Sequence, residues 1–158
     1  ALEGRRPLLA EIQALVGVPA SEFQNARRVT SGLDNARTAM TLAVLELRAG
    51  IRLSGREIYV ATVGGMKMNE PSVDLAVALS VASAAKGLAL PSDLVAIGEV
   101  GLAGEIRKVN GALQRIQEAA RLGFKRAMVP MGSDIKVAGI DIMEVARLEQ
   151  AISRVKIS

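Results

Sequence analysis

Apolar and polar positions along this chain alternate between two spacings, and the alternation predicts its elements. Residues 6–17, "RPLLAEIQALVG", carry an imperfect every-second-residue pattern and predict a strand closed by Gly17 and Pro19. Residues 21–32 are polar and irregular, which predicts a loop or hairpin carrying Arg27 and Arg28. Residues 33–50 predict a helix capped by Asp34 and stopped by Gly50, with Met40, Ala43, Val44 and Leu47 at helical spacing. A strand over 56–65 ends at paired glycines, and a second helix over 71–87 is so rich in Ala, Val and Leu that it should be almost wholly buried. Residues 94–109 predict two short strands joined at a glycine-rich turn, and 110–124 an amphipathic helix capped by Asn110 and stopped at Gly123. A short strand follows over 125–130, and 139–155 passes from strand into a last helix. Strands and helices alternate with no internal repeat, so one α/β (α+β) domain is expected over 7–158, with 1–6 as the remnant of a linker.

Composition narrows the chemistry. A chain of 158 residues, half of them hydrophobic, can bury a sizeable core, and with aromatics at 2% that core must be aliphatic. The single Tyr and two Phe are too few for a base-stacking platform. With no Cys and no His, disulfides, thiol catalysis, thiolate–zinc sites and imidazole acid–base chemistry are excluded. No apolar run is long enough to span a bilayer, so a soluble, cytoplasmic protein without membrane contact is expected.

The charge of +4 is unevenly placed: residues 1–56 hold eight cations, all Arg, against five carboxylates. Guanidinium suits phosphate, but a mild excess of this kind is usually a solvated surface, with a nucleic-acid partner as the alternative reading.

The candidate chemistry centres on Asn69-Glu70-Pro71-Ser72, which runs directly into the second predicted helix. Ser72 has two readings. It can be a nucleophile, which without His needs a Lys as its base, or it can be an N-cap. Gly64-Gly65 matches no phosphate-loop fingerprint, and Lys67 with Glu70 reads as a surface ion pair. The charges of the glycine-rich hairpin, Glu99, Glu105, Arg107 and Lys108, read as solvated, and Glu70, Asp74, Glu99 and Glu105 lack any metal-ligand spacing.

The segments "GEVGLAGEIRKVNGALQRIQEAARLGFKRAMVP" (98–130) and "EPSVDLAVALSVASA" (70–84) resemble the proteolytic domain of Lon proteases. Together with "EGRRPLLAEIQALV", "ARRVTSGLDNARTAMTLAVLELRAG" and "VGGMKMNEPSVDLAVA", in that order, they resemble more closely the C-terminal Lon-like domain of the RadA (Sms) family of bacterial DNA repair and recombination proteins. The resemblance covers nearly the whole chain. It implies the Lon proteolytic-domain, ribosomal-S5-domain-2-like fold, and it places Ser72 at the Lon nucleophile position and Leu113 at the position of the Lon base. Leu113 cannot take a proton, Arg115 does not deprotonate, Lys108 lies across a turn, and Val73 and Asp74 stand where small residues follow the Lon serine. Ser72 is therefore expected to be a helix-cap relic, and a Leu113→Lys change to set an ammonium among apolar groups.

The resemblance further implies that zinc, ATP and Mg belong to an N-terminal part outside these residues, with no cofactor in this domain. It implies two partners, DNA bound through its phosphates without regard to sequence, and further copies of the chain in a hexameric ring. The expected DNA contacts are Arg27, Arg28, Arg37, Lys67 and Arg107, with Arg48 and Arg52 as surface or interface residues. Arg37 stands near the first turn of its helix, the unfavourable end for a cation, so another partner should hold it there. The alternatives are an oligomerisation scaffold without DNA contact, and an active Ser–Lys peptidase using Ser72 with Lys67 or Lys108.

Overall fold

The computed structural model describes residues 9–19 and 26–156, and within them the chain folds as a mixed α/β domain. The expected linker boundary at residue 6 and the first part of the expected loop lie outside the described residues. Three strands form one sheet: β1 (Ile12–Pro19), β2 (Arg28–Ser31) and β3 (Arg56–Thr62), in the order β1-β3-β2. β1 runs antiparallel to β3, and β2 runs parallel to it. Residues 28–31 were expected within a loop or hairpin. They form an edge strand because Val29 and Thr30 favour extended backbone and β3 supplies its ladder.

The helix α1 (Asn35–Ala49) crosses from β2 to β3. The Asp34 carboxylate accepts from the Arg37 N–H at 2.8 Å, Gly50 closes the helix at φ 73°, and Arg48 sits in the last turn, where a cation complements the dipole. Its buried face is Thr38, Thr41, Leu42, Val44 and Leu45. Of the apolar residues singled out by spacing only Val44 is interior; Met40, Ala43 and Leu47 face solvent.

The helix α2 (Asp74–Lys86) is the centre of the principal core and packs on β1, β3 and α1. Leu75, Val77, Ala78, Leu79, Val81 and Ala82 are all buried, as the Ala/Val/Leu content predicts. Ahead of it, Pro71–Val73 form a single 3-10 turn rather than the first turn of the helix.

A second sheet is wholly parallel: β4 (Leu94–Ala96), β7 (Arg126–Pro130) and β8 (Asp141–Val145), in the order β4-β7-β8. Between β4 and β7 lie the two-stranded hairpin β5 (Glu99–Val100) and β6 (Ile106–Arg107) and the helix α3 (Ala112–Arg121). The cap of α3 is Gly111 at φ 76°, not Asn110. A smaller apolar cluster under α3 joins Ile97, Ile116, Ala119, Ala127, Val129 and Ile140. The last helix, α4 (Leu148–Arg154), packs on α1 and α2. Among the described residues no helix is long and apolar enough to cross a membrane.

Gly98 ties the two halves together. Its N–H donates to the Ser72 carbonyl at 3.1 Å, and its carbonyl accepts from the Leu75 N–H at 3.1 Å. A Cβ there would stand 2.9 Å from Ile106 Cγ2, so only glycine lets the β4–β5 segment approach the Ser72 turn this closely.

Candidate functional site

Ser72 is buried, at 4% exposure, and its side chain caps nothing. The residue at the start of α2 is Val73, which makes no side-chain cap bond. The Ser72 hydroxyl instead accepts a hydrogen bond from Arg115 Nη1 and lies 3.3 Å from Glu70 Oε2, to which it donates. Arg115 Nη2 donates to the same Glu70 oxygen at 2.5 Å. The cap-relic expectation is thus corrected. The proline-led 3-10 turn aims the hydroxyl away from the helix backbone, at a guanidinium on α3.

Chemically this arrangement opposes nucleophilic attack. A guanidinium in a protein stays protonated and can only donate. It occupies one lone pair of the hydroxyl, and it pairs with Glu70, the carboxylate to which that hydroxyl donates. A neutralised carboxylate is a poor base for a serine hydroxyl. Leu113, at the place expected of a base, has its side chain 47% exposed, so the expected apolar neighbourhood is not there. Lys108 lies against the turn at Gly132, where a Cβ would come within 3.2 Å of its Cε, and it faces Glu144. Lys67 is exposed and makes no hydrogen bond to Ser72. The expected Lys67–Glu70 pair is replaced by Arg115–Glu70.

A second buried network adjoins the first. Arg37 donates through Nε to Asp74 Oδ1 and through Nη2 to Asp74 Oδ2, both at 3.0 Å, and through Nη2 to Glu99 at 2.8 Å. Asp74 is 2% exposed, Arg37 24%, and the Val100 N–H adds a bond to Asp74 at 3.1 Å. Burial pushes the Asp74 carboxyl above the usual carboxylate range, against the hydrogen bonds from Arg37 and Val100 that pull it down. The hydrogen bond to Asp74 holds the Arg37 guanidinium above its ordinary value. Arg37 was expected to face a phosphate. Its fork is spent on α2 and β5, which also explains a cation at the first turn of α1. Asp74 points into this pair and does not crowd Ser72. The cavity beside Arg37, Glu70 and Asp74 is about 10 Å³, barely a water and far less than a peptide residue.

The remaining expected cations differ in how far they are committed. Arg107 is exposed but chelates Glu105 through Nε and Nη2 at 3.1 and 2.8 Å, and Glu99 is engaged by Arg37, so these hairpin charges are paired rather than simply solvated. Arg28 is exposed and donates to the Leu53 carbonyl at 3.1 Å, with no carboxylate partner among the described residues. Arg27 and Lys67 are exposed and make no ion pair among the described residues. Arg27 and Arg28 stand at the start of β2. Lys67 stands by its end, where the Met68 N–H donates to the Gly32 carbonyl at 2.8 Å. Arg27 and Arg28 thus stand at one end of β2 and Lys67 by the other. Arg48 and Arg52 are exposed at the end of α1. Among the described residues no acidic cluster could hold a metal ion.

Comparison with known proteins follows the same segments. The family model described as subunit ChlI of Mg-chelatase matches residues 9–133. A protein named DNA repair protein RadA from Escherichia coli is 48% identical over 96% of this chain, which is 33% of that protein. The RadA of Mycolicibacterium smegmatis is 45% identical over 98% of the chain, and that of Pseudomonas aeruginosa 47% over 95%, again about a third of each relative.

Proposed function

This chain belongs to the family described as subunit ChlI of Mg-chelatase, and from that membership, its likeness to a third of the RadA DNA repair proteins and the clamped serine we propose that it is a non-catalytic module of a DNA repair and recombination protein. In this reading it contacts DNA phosphates without regard to sequence and supports assembly of the whole protein into a hexameric ring. ATP hydrolysis, with its Mg, and zinc binding would belong to the rest of the protein.

The observation that carries the non-catalytic part is the Arg115–Ser72 hydrogen bond, backed by Arg115–Glu70. It supports a serine site converted from nucleophile to structural tie between α3 and the turn before α2. The DNA part is supported by Arg27, Arg28 and Lys67, three exposed cations at the two ends of β2 that make no ion pair among the described residues. Arg37 and Arg107 are left out of this contact set because each is engaged by carboxylates. In a ring the set recurs in every copy, so a modest charge per chain becomes a track of phosphate sites.

Incubation with a fluorophosphonate serine probe and with a casein substrate tests the first part. The expected result is no labelling and no cleavage. Labelling abolished by Ser72→Ala would overturn the non-catalytic reading and restore the Ser–Lys peptidase alternative.

A further inference from the structure

Asn110 was expected to cap α3, yet the cap is Gly111, at φ 76° and ψ 15°. Both residues are exposed. The Asn110 side chain makes no hydrogen bond among the described residues. The Gly111 N–H likewise donates to nothing there, while its carbonyl accepts from the Arg115 N–H at 3.1 Å. Glycine has no Cβ to screen its nitrogen. A carboxamide and a bare amide nitrogen thus stand side by side in solvent, neither committed to a partner.

The other asparagines differ. Of the four in the chain, only Asn110 precedes a glycine. Asn35 opens α1, accepts from the Thr30 hydroxyl and precedes Ala36. Asn69 is exposed but precedes Glu70, whose side chain is anchored on Arg115. Asn25 lies outside the described residues.

From this arrangement we infer that Asn110–Gly111 is a site of spontaneous main-chain modification that acts on α3. The deprotonated Gly111 nitrogen attacks the Asn110 side-chain carbonyl carbon. A C–N bond forms there, the bond from Cγ to Nδ2 breaks, ammonia leaves, and a five-membered succinimide remains. Water, the only co-reactant, then opens the ring. Opening at the side-chain carbonyl gives aspartate. Opening at the main-chain carbonyl gives an isoaspartyl link, which runs through the side chain, carries one extra backbone carbon and leaves a free α-carboxylate. No electron is gained or lost.

The site adjoins the hold on Ser72. A Cβ on Gly111 would stand 3.8 Å from Arg115 Nε, and that Nε is buried without a partner among the described residues. A backbone carbon inserted directly before Gly111 displaces this contact and the first turn of α3, and with them the guanidinium that Ser72 and Glu70 share. The isoaspartyl form therefore holds Ser72 less firmly. The aspartyl form keeps the backbone length and adds a negative charge at the N-terminal end of α3, the favourable end for it.

The test is ageing of the folded 158-residue chain in mildly acidic and mildly alkaline buffer, read by peptide mass spectrometry. Trypsin cuts after Lys108 and Arg115 and releases residues 109–115, in which Asn110 is the only asparagine. This peptide is expected to gain the mass difference between amide and acid and to resolve into two products, one of them a substrate for protein isoaspartyl methyltransferase. Conversion should be several-fold faster in the alkaline buffer, because the attacking nitrogen must lose its proton. Asn110→Gln, which can close only a six-membered ring, should stay unconverted, as should Asn35 and Asn69. A folded chain that converts many-fold more slowly than the same chain in urea would overturn the inference, since the fold would then screen the site. Equal conversion at Asn35 or Asn69 would overturn it too. For the effect on α3, the isoaspartyl fraction, separated by ion exchange, is expected to unfold at a lower urea concentration than the fresh chain, and Asn110→Asp at the same or a higher one. An isoaspartyl fraction as stable as the fresh chain would overturn the link to α3.

Discussion

Replacing Arg37 by alanine separates a surface cation from a buried one. An exposed arginine would cost within about 0.5 kcal/mol. The structure argues for much more, because Asp74 is 2% exposed and, among the described residues, would keep only the Val100 N–H as a donor. Breaking one partner of a buried pair costs about 3–5 kcal/mol; Arg37 is a quarter exposed, so water partly replaces it, and the expected loss at pH 7 is about 2–4 kcal/mol.

The loss should depend on pH in a defined direction. The folded-state value of Asp74 is already raised by burial, and removing Arg37 raises it further. A carboxyl with a raised folded value favours the folded state at low pH, and that contribution is lost as pH rises through the folded value. The deficit of Arg37→Ala should therefore be largest near neutrality and shrink in acid. Glu105, Glu144 and Glu149, whose values are lowered by hydrogen bonds, act oppositely but equally in both proteins and cancel in the difference. Adding Asp74→Asn removes the stranded charge and should recover part of the loss at pH 7. Urea titration, read at constant slope, measures all of this. An Arg37→Ala variant within about 0.5 kcal/mol of wild type at every pH, or one made worse by Asp74→Asn, would refute the reasoning.

Three further outcomes follow. Ser72→Ala removes a buried acceptor from Arg115 and should cost about 1–2 kcal/mol in urea titration without altering any activity. Leu113→Lys should unfold at the same urea concentration as wild type, because that side chain reaches solvent, and it should gain no casein cleavage while Arg115 holds Ser72. Gly98→Ala sets a Cβ 2.9 Å from Ile106 Cγ2 and should cost about 1–3 kcal/mol by overpacking; a neutral result would show that the Ser72 turn is not pinned there.

Elements with strong local signals were legible in the sequence. Asp34 and Gly50 bracket α1 as cap and stop, and the apolar content of α2 announced its burial. What escaped was set by partners distant in sequence. Residues 28–31 have too little pattern to declare a strand, and only pairing with β3 makes them one. The spacing of Met40, Ala43, Val44 and Leu47 did not mark the buried face of α1, because both faces are apolar, one with threonines facing inward and one with Met40 and Leu47 facing outward. At the candidate site, the resemblance set Leu113 at the place of a base, but the contact to Ser72 was not legible, since Arg115 meets it across 43 residues of chain. One signal for the second network was present. Asp74 heads a helix with no other charge before Lys86 in its last turn, and a buried charge demands a partner. Arg37, the cation at the wrong end of its own helix, was that partner.

The DNA-binding claim is tested most directly by fluorescence anisotropy of the chain with labelled DNA of unrelated sequences, titrated at several salt concentrations. The account predicts similar affinities across sequences and a steep fall with salt. It also predicts that a folded Arg27/Arg28/Lys67→Ala variant is weakened equally for every sequence, with the slope of log affinity against log salt reduced by roughly two to three units. Unchanged affinity and an unchanged slope in that variant would contradict the account and leave the chain as an assembly module alone.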